Sequence, residues 1–211
     1  GLFGEGISLA GVSSVNFLKS KSTTMASTVA DNAAYIQMFA RWNVPERADM
    51  ESMKKNIQSL LAVGRAGDDS RILSLTDQIT NDLIVNSPGL ARMFWDPNRA
   101  DTVDAVTSGH NIYIGWQAIG SGAWALYTTH LHENVHIVQN TNPGGQKGLR
   151  AERELQAYRW ELKANKKLTA KYPEPGNGSR TFIEDEIKMH CKNLSKTEAK
   201  CLADPATVPF P

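Results

Sequence analysis

Apolar positions recur with a helical period along most of this chain. Between Asp49 and Gly64, the residues Met50, Met53, Ile57, Leu60 and Leu61 fall at three- and four-residue steps, the spacing that lines one face of an α-helix. Asp49 reads as the cap of that helix and Gly64 as its stop. A second stripe, Ile72, Leu75, Ile79 and Leu83, begins near Asp69 or Ser70 and runs into Asn86-Ser87-Pro88-Gly89. Methionine on such a stripe is packing, so Met50 and Met53 are read as core and not as ligands. Upstream, Ala30, Ala33, Ala34, Ile36, Met38 and Phe39 give a weaker helical pattern from Thr24 to Trp42, ended by Val44-Pro45. Residues 1–22, rich in Gly and Ser, read as an extended arm.

The period changes in the middle of the chain. After Met93-Phe94-Trp95 and the turn Asp96-Pro97-Asn98 comes Asn111-Ile112-Tyr113-Ile114-Gly115-Trp116. Its β-branched and aromatic content, with Ile112, Ile114 and Trp116 on one side, predicts a strand. A helix then runs from about Gly122 to Asn140 and meets Asn142-Pro143-Gly144-Gly145, a strong stop. Another starts near Leu149 and continues to about Leu168, with Ala151, Leu155, Tyr158 and Leu162 on one face, closed by the turn from Tyr172 to Gly178. A short helix from about Phe182 to His190 and a cysteine loop complete the chain. No linker divides it. The expectation is one α+β domain over residues 23–211, mostly helical, with a small sheet beside the helix of Gly122 to Asn140.

Composition narrows the partners. With 41% hydrophobic residues in 211, the chain has enough apolar mass for a real core. A net charge of +1 supplies no overall field toward nucleic acid or an anionic membrane, so neither is expected as a partner. No apolar run approaches the roughly 18 residues of a spanning helix, and the N-terminus lacks the order of a signal peptide. The start Gly1-Leu2-Phe3-Gly4, without Met, fits a domain processed from a longer polypeptide or a residue left by cloning. Cys191 and Cys201 lack Cys-x-x-Cys spacing and are expected to close a small loop as a disulfide in an oxidising compartment, in preference to two reduced thiols. Asn177-Gly178-Ser179 and Asn193-Leu194-Ser195 match the N-glycosylation tripeptide, a pattern too common to decide anything.

The chemistry concentrates in His132-Glu133-Asn134-Val135-His136. Residues four apart on a helix share a face, so His132 and His136 can grip one metal ion, while Glu133 projects beside that face without being a ligand. In this pattern zinc lowers the pKa of a water toward about 7, and Glu133 takes its proton as general base and returns it to the leaving amine. Catalytic zinc needs a third protein ligand and an open position. Downstream, Glu152-Arg153-Glu154-Leu155-Gln156-Ala157-Tyr158 offers two glutamates that helix geometry alone separates poorly, although Glu152 has Gln156, Arg159 and Lys163 on its side and reads as more solvated.

Over residues 111–160 the sequence resembles the gluzincins, zinc metallopeptidases whose histidine pair is followed by a glutamate on a second helix. In that family the liganding glutamate is often followed three positions later by Ala or Ser and then by a polar residue. Glu154, with Ala157 and Tyr158, fits; Glu152, followed by Leu155, does not. The resemblance therefore selects His132, His136 and Glu154 as zinc ligands, leaving Glu152, Glu184 and Glu186 as alternatives for the third. It also implies that the Ile112 strand is an edge strand pairing with an extended peptide above the zinc, an internal strand being the alternative. Tyr158, one turn beyond Glu154, is a candidate donor to the oxyanion, packing on the apolar stripe being its favoured alternative, and Tyr127 and His190 are candidates from elsewhere in the chain. His130 falls off the ligand face, and Gln139 is placed to orient a ligand or line the cleft.

These residues imply a zinc-dependent hydrolase acting on a protein or peptide substrate. A small zincin-like domain with a disulfide and no signal of its own is similar to the metallopeptidase tails of bacterial type VI secretion spike proteins. That resemblance implies a secreted toxin or effector module within a larger polypeptide, delivered to the periplasm and opposed by an immunity or inhibitor protein. The alternatives are a zinc amidase acting on cell-wall peptides and a non-catalytic zinc-binding module, against which the base Glu133 argues.

Overall fold

The computed structural model describes residues 32–98, 105–142, 149–173 and 178–210. The arm at 1–22, the first residues of the Thr24 helix, the glycine stop at 143–145 and most of the turn before Gly178, with Asn177, lie outside the described residues. Among the described residues the chain is mostly helical with one three-stranded sheet, an α+β arrangement.

Helix α1 occupies described residues 32–40. Its inward side chains are Tyr35 and Met38, joined by Trp42 just past its end, while Ile36 is exposed. The aromatic residues, which bury the most area per side chain, set this face. Helix α2 (Arg47–Val63) starts earlier than expected, because Asp49 is not its cap but sits in the first turn and accepts from the backbone N–H of Glu46 at 3.3 Å. Met50, Met53, Ile57 and Leu60 are buried, but Leu61 faces solvent. Helix α3 (Asp69–Val85) is capped by Asp68, whose carboxylate accepts from the Ser70 N–H at 2.7 Å. It packs against α2, and its Ile72, Ile79 and Leu83 join the buried α2 residues in the main core.

The sheet consists of β1 (Met93–Trp95), β2 (Ala105–Ser108) and β3 (Asn111–Ile114) in the order β1-β3-β2. β1 runs parallel to β3 and β2 antiparallel, with Thr107 opposite Ile112. The two-residue turn Gly109-His110 joins β2 to β3, and Gly109 supplies the positive φ of 61° that such a hairpin requires. Two expectations are corrected here. The Ile112 strand is central, with both its edges already paired, so it cannot accept a peptide; among the described residues β2 is the edge strand beside the histidine helix. Trp116 belongs not to the strand but to the start of a short helix, α4 (Trp116–Gly120). Ile112 and Ile114 do point into the core, fully buried.

Helix α5 (Gly122–Thr141) carries the histidines and packs on α6 (Arg150–Lys171). Helix α7 (Gly178–Asn193), longer than the sequence pattern suggested, covers the other side of α6, and α8 (Glu198–Leu202) follows. Cys191 and Cys201 are joined by the expected disulfide, tying α8 to the end of α7. Helix α6 thus divides two cores: Trp160, Ala164 and Leu168 face the main one, and Leu155 and Leu162 a smaller one with Ile183, Ile187 and the disulfide. Each fully buried leucine or isoleucine contributes about 1.5–3 kcal/mol, which fixes α6 against α5 and with it the glutamates that face the histidines.

Candidate metal centre

Helix α5 is buried along nearly its whole length, so its polar side chains need partners from neighbouring elements. Asn134 and His130 take theirs from the chain leading into β1. Asn134 Oδ1 accepts from the Ala91 N–H at 2.8 Å, and His130 Nε2 donates to the Ala91 carbonyl at 2.7 Å. This clamp docks the sheet on α5, and it accounts for His130 outside any ligand set. Burial pushes the His130 pKa down to about 4, so the ring stays neutral.

On the opposite face, Nε2 of His132 and Nε2 of His136 lie 3.2 Å apart, and Glu154 Oε2 stands 3.5 Å from each. The other ring nitrogens are donors: His132 Nδ1 to Glu161 Oε2 at 2.9 Å, and His136 Nδ1 to Gln139 Oε1 at 2.8 Å. Both Nε2 lone pairs therefore face one another and a carboxylate oxygen, an arrangement that repels itself unless a cation sits between them. The spacing suits a metal ion. Bonds of about 2.0–2.1 Å to a tetrahedral centre put ligand atoms about 3.3–3.4 Å apart. A proton can serve in its place: burial works to deprotonate His132, but hydrogen bonds to Glu154 and Glu161 outweigh it and raise its pKa to about 10. Burial likewise works to protonate Glu154, and the two histidines override it, holding that carboxyl well below the usual range.

His132, Glu133 and His136 also place one ligand atom each within 4.8 Å of one another, a buried group that could hold a metal ion. Of the two carboxylates beside the histidines, Glu154 is the better third ligand. Its oxygen is equidistant from both nitrogens, whereas Glu133 Oε2 accepts a 2.6 Å hydrogen bond from Thr107 Oγ1 on β2. Glu133 is thereby held beside the triad with its second oxygen available.

The remaining sequence candidates separate cleanly. Glu152 caps α6, its Oε2 accepting from the Leu149 N–H at 2.9 Å. Glu184 pairs with Arg180 at 3.0 Å and Glu186 with His190 at 3.6 Å, each within α7. The structure brings neither to the histidines. Arg150 stands 3.9 Å from the other oxygen of Glu154, at the solvent edge. Tyr158 packs its ring edge-on against His132, centroids 4.5 Å apart, and His190 stacks on Tyr158 at 5.9 Å. Tyr127 points away: its fully buried ring meets the field of Asp82 and Asp49, and burial raises its pKa.

Of the supports behind the histidines, sequence reasoning placed Gln139, which holds His136 Nδ1, but missed Glu161 and Thr107. Glu161 is buried, with Oε1 accepting from Thr128 Oγ1 at 3.0 Å while Oε2 accepts from His132. Such a carboxylate fixes the ring orientation and raises the basicity of the ligand. A signal existed, since Glu161 stands two helical turns beyond Glu154 and Thr128 one turn before His132. Gln139 is held in turn by Arg153, donating to its carbonyl at 3.0 Å and accepting from its Nε at 3.2 Å. Thr107 had no local signal.

Comparison with protein-family models, with curated proteins and with solved structures finds no match for this chain.

Proposed function

We propose that the protein is a zinc-dependent hydrolase of peptide bonds, gluzincin-like in its site. The observation that carries this reading is the convergence of three ligand atoms from His132, His136 and Glu154 at 3.2–3.5 Å, with the Glu133 carboxylate beside them and tied to Thr107. The donor set of two imidazoles and one carboxylate suits zinc, and such a set leaves a coordination position open. Zinc, when bound, acidifies water and polarises a carbonyl.

The chain's own residues do the rest. Glu161 and Gln139 aim both ligand Nε2 atoms inward by holding the Nδ1 protons, so that Nε2 is the atom each ring offers to a metal. Glu133 accepts a proton from the attacking water and delivers it to the leaving amine, and Thr107 holds its carboxylate in one orientation while leaving one oxygen to act. Tyr158, against His132, is the candidate donor to the developing oxyanion. An extended substrate pairs with the edge of β2, the strand that carries Thr107, in place of the central strand. The Cys191–Cys201 disulfide suits work in an oxidising compartment, which supports the secreted effector setting over a cytosolic one.

The test is incubation of the zinc-loaded protein with a broad peptide library and, separately, with purified cell wall, read by mass spectrometry beside Glu133→Ala. Cleavage of library peptides that the variant and a chelator both abolish supports a peptidase. Release of cell-wall peptides alone would transfer the activity to an amidase, and cleavage by the variant at the wild-type rate would remove Glu133 as the base.

A further inference from the structure

Helix α6 presents a second, cationic face. About nine residues of helix, or half a turn net in direction, separate Glu154 from Lys163, so the side of α6 away from the metal centre carries Arg159, Lys163, Lys166 and Lys167. There these four cations and Asp204 line a cavity of about 380 Å3, within the roughly 300–1,000 Å3 range of small-molecule sites. Four positive charges against one negative leave an excess of three in a chain whose net charge is +1, so the concentration is local. Lys163 is paired with Asp204 at 2.6 Å. Arg159, almost wholly buried, donates only to neutral acceptors, the carbonyls of Cys201, Ala203 and Val208 and the side chain of Gln156. Among the described residues, no carboxylate stands within ion-pair distance of Lys166 or Lys167.

The apolar part of the cavity is as well defined. Phe39 packs on Trp42 and Trp160, with centroids 6.0 and 5.4 Å away, which fixes its ring. The ammonium groups of Lys163 and Lys167 lie 5.5 and 5.6 Å from that ring's centroid. Leu162, Leu202 and Pro205 complete the lining. The wall formed by residues 201–205 is held twice, by the disulfide and by the Cys201 and Ala203 carbonyls on Arg159. A rigid aromatic surface beside three lysines, of which only Lys163 forms an ion pair among the described residues, matches an anion with a flat apolar body.

We propose that this cavity is a binding site for a small organic anion, a carboxylate or a phosphate ester, with its charged group on Lys166 and Lys167 and its apolar body against Phe39. The site is independent of the metal centre and of the peptidase reading.

The test uses the whole chain, stripped of metal by chelator so that no anion is held by zinc, and titrated with biphenyl-4-carboxylate, phenyl phosphate and the neutral biphenyl-4-methanol. Calorimetry gives affinity and stoichiometry, and amide NMR shifts give location. The expected result is one bound anion per chain, with shifts at Phe39, Lys163 and Ala203, and affinity at least about tenfold above that of the alcohol. The double variant Lys166→Ser, Lys167→Ser alters two exposed side chains, so it keeps the fold, and it should weaken anion binding at least about tenfold. Whichever of carboxylate and phosphate binds more tightly identifies the charged group. Equal binding of the alcohol, an unchanged affinity in the lysine variant, shifts confined to residues outside this cavity, or no saturation by either anion at about 10 mM would each overturn the proposal.

Discussion

Replacing Glu161 by glutamine removes one negative charge from behind His132 while leaving shape and hydrogen bonding nearly intact. The amide oxygen can still accept from His132 Nδ1, and the amide NH2 can donate to the Thr128 hydroxyl, which reverses its role from donor to acceptor. The side chain is only 8% exposed, so water screens the lost charge poorly. What disappears is the electrostatic support that raises the basicity of the ligand nitrogen. Loss of such a partner weakens metal binding by about 10- to 100-fold, or about 1.4–2.7 kcal/mol. Glutamine belongs at the lower end of that range. Glu161→Ala belongs at the upper end, and it also leaves the buried Nδ1–H of His132 without a partner, at about 1–3 kcal/mol of stability, whereas Thr128 keeps the Ala125 carbonyl at 3.1 Å. The assay is competition for zinc against a chromophoric chelator, with thermal unfolding of the metal-free proteins run alongside. An alanine variant within about twofold of wild type in zinc affinity would show that Glu161 does not act through His132.

Thr107→Val keeps the β-branched shape on β2 but removes the proton that Glu133 accepts; zinc content should hold while kcat falls about tenfold, and an unchanged kcat would free Glu133 from Thr107. Glu152→Ala should lower stability by about 0.5–1 kcal/mol in urea unfolding, through loss of the α6 cap, and leave zinc affinity alone; a drop in affinity would return Glu152 to the ligand set. His130 binds its proton in the fold only near pH 4 but near 6.5 when unfolded, so between those values the unfolded state holds one more proton and stability falls as pH falls. The loss across that window is about 3 kcal/mol in the metal-free protein. His132, with its raised pKa, is protonated in both states there and adds no slope. His130→Phe should flatten the slope, and a slope unaltered by that change would assign it to another group.

Long amphipathic helices were legible because their periodicity is repeated over many residues: the stripes of α2 and α3 and the spans of α5 and α6 emerge from the apolar pattern alone. The sheet was legible only at Ile112–Ile114. β1 and β2 hold three and four residues, too few for alternation to register, and their pairing depends on β3. That pairing is also why the order β1-β3-β2, and hence which strand is the edge, could not be read locally. In α1 the exposed Ile36 misled because Tyr35 and Trp42 outweigh it in buried area. At the site, the His132–His136 pair follows from helix spacing, but the choice between Glu152 and Glu154 turned on family likeness. The physical reason is the Leu149 N–H, which Glu152 satisfies, whereas Glu154 lies on the face turned to α5. Thr107 reaches Glu133 across 26 residues of sequence, a contact that only the packing of β2 on α5 creates.

The most direct test of the central claim is the metal content of the purified protein by elemental analysis, beside Glu133→Ala and Glu154→Ala, after equilibration with zinc and removal of excess. The account predicts about one zinc per chain in the wild type and in Glu133→Ala, and clear depletion in Glu154→Ala. A wild type without zinc would contradict the metal centre itself, and full retention in Glu154→Ala would contradict the ligand set built from His132, His136 and Glu154.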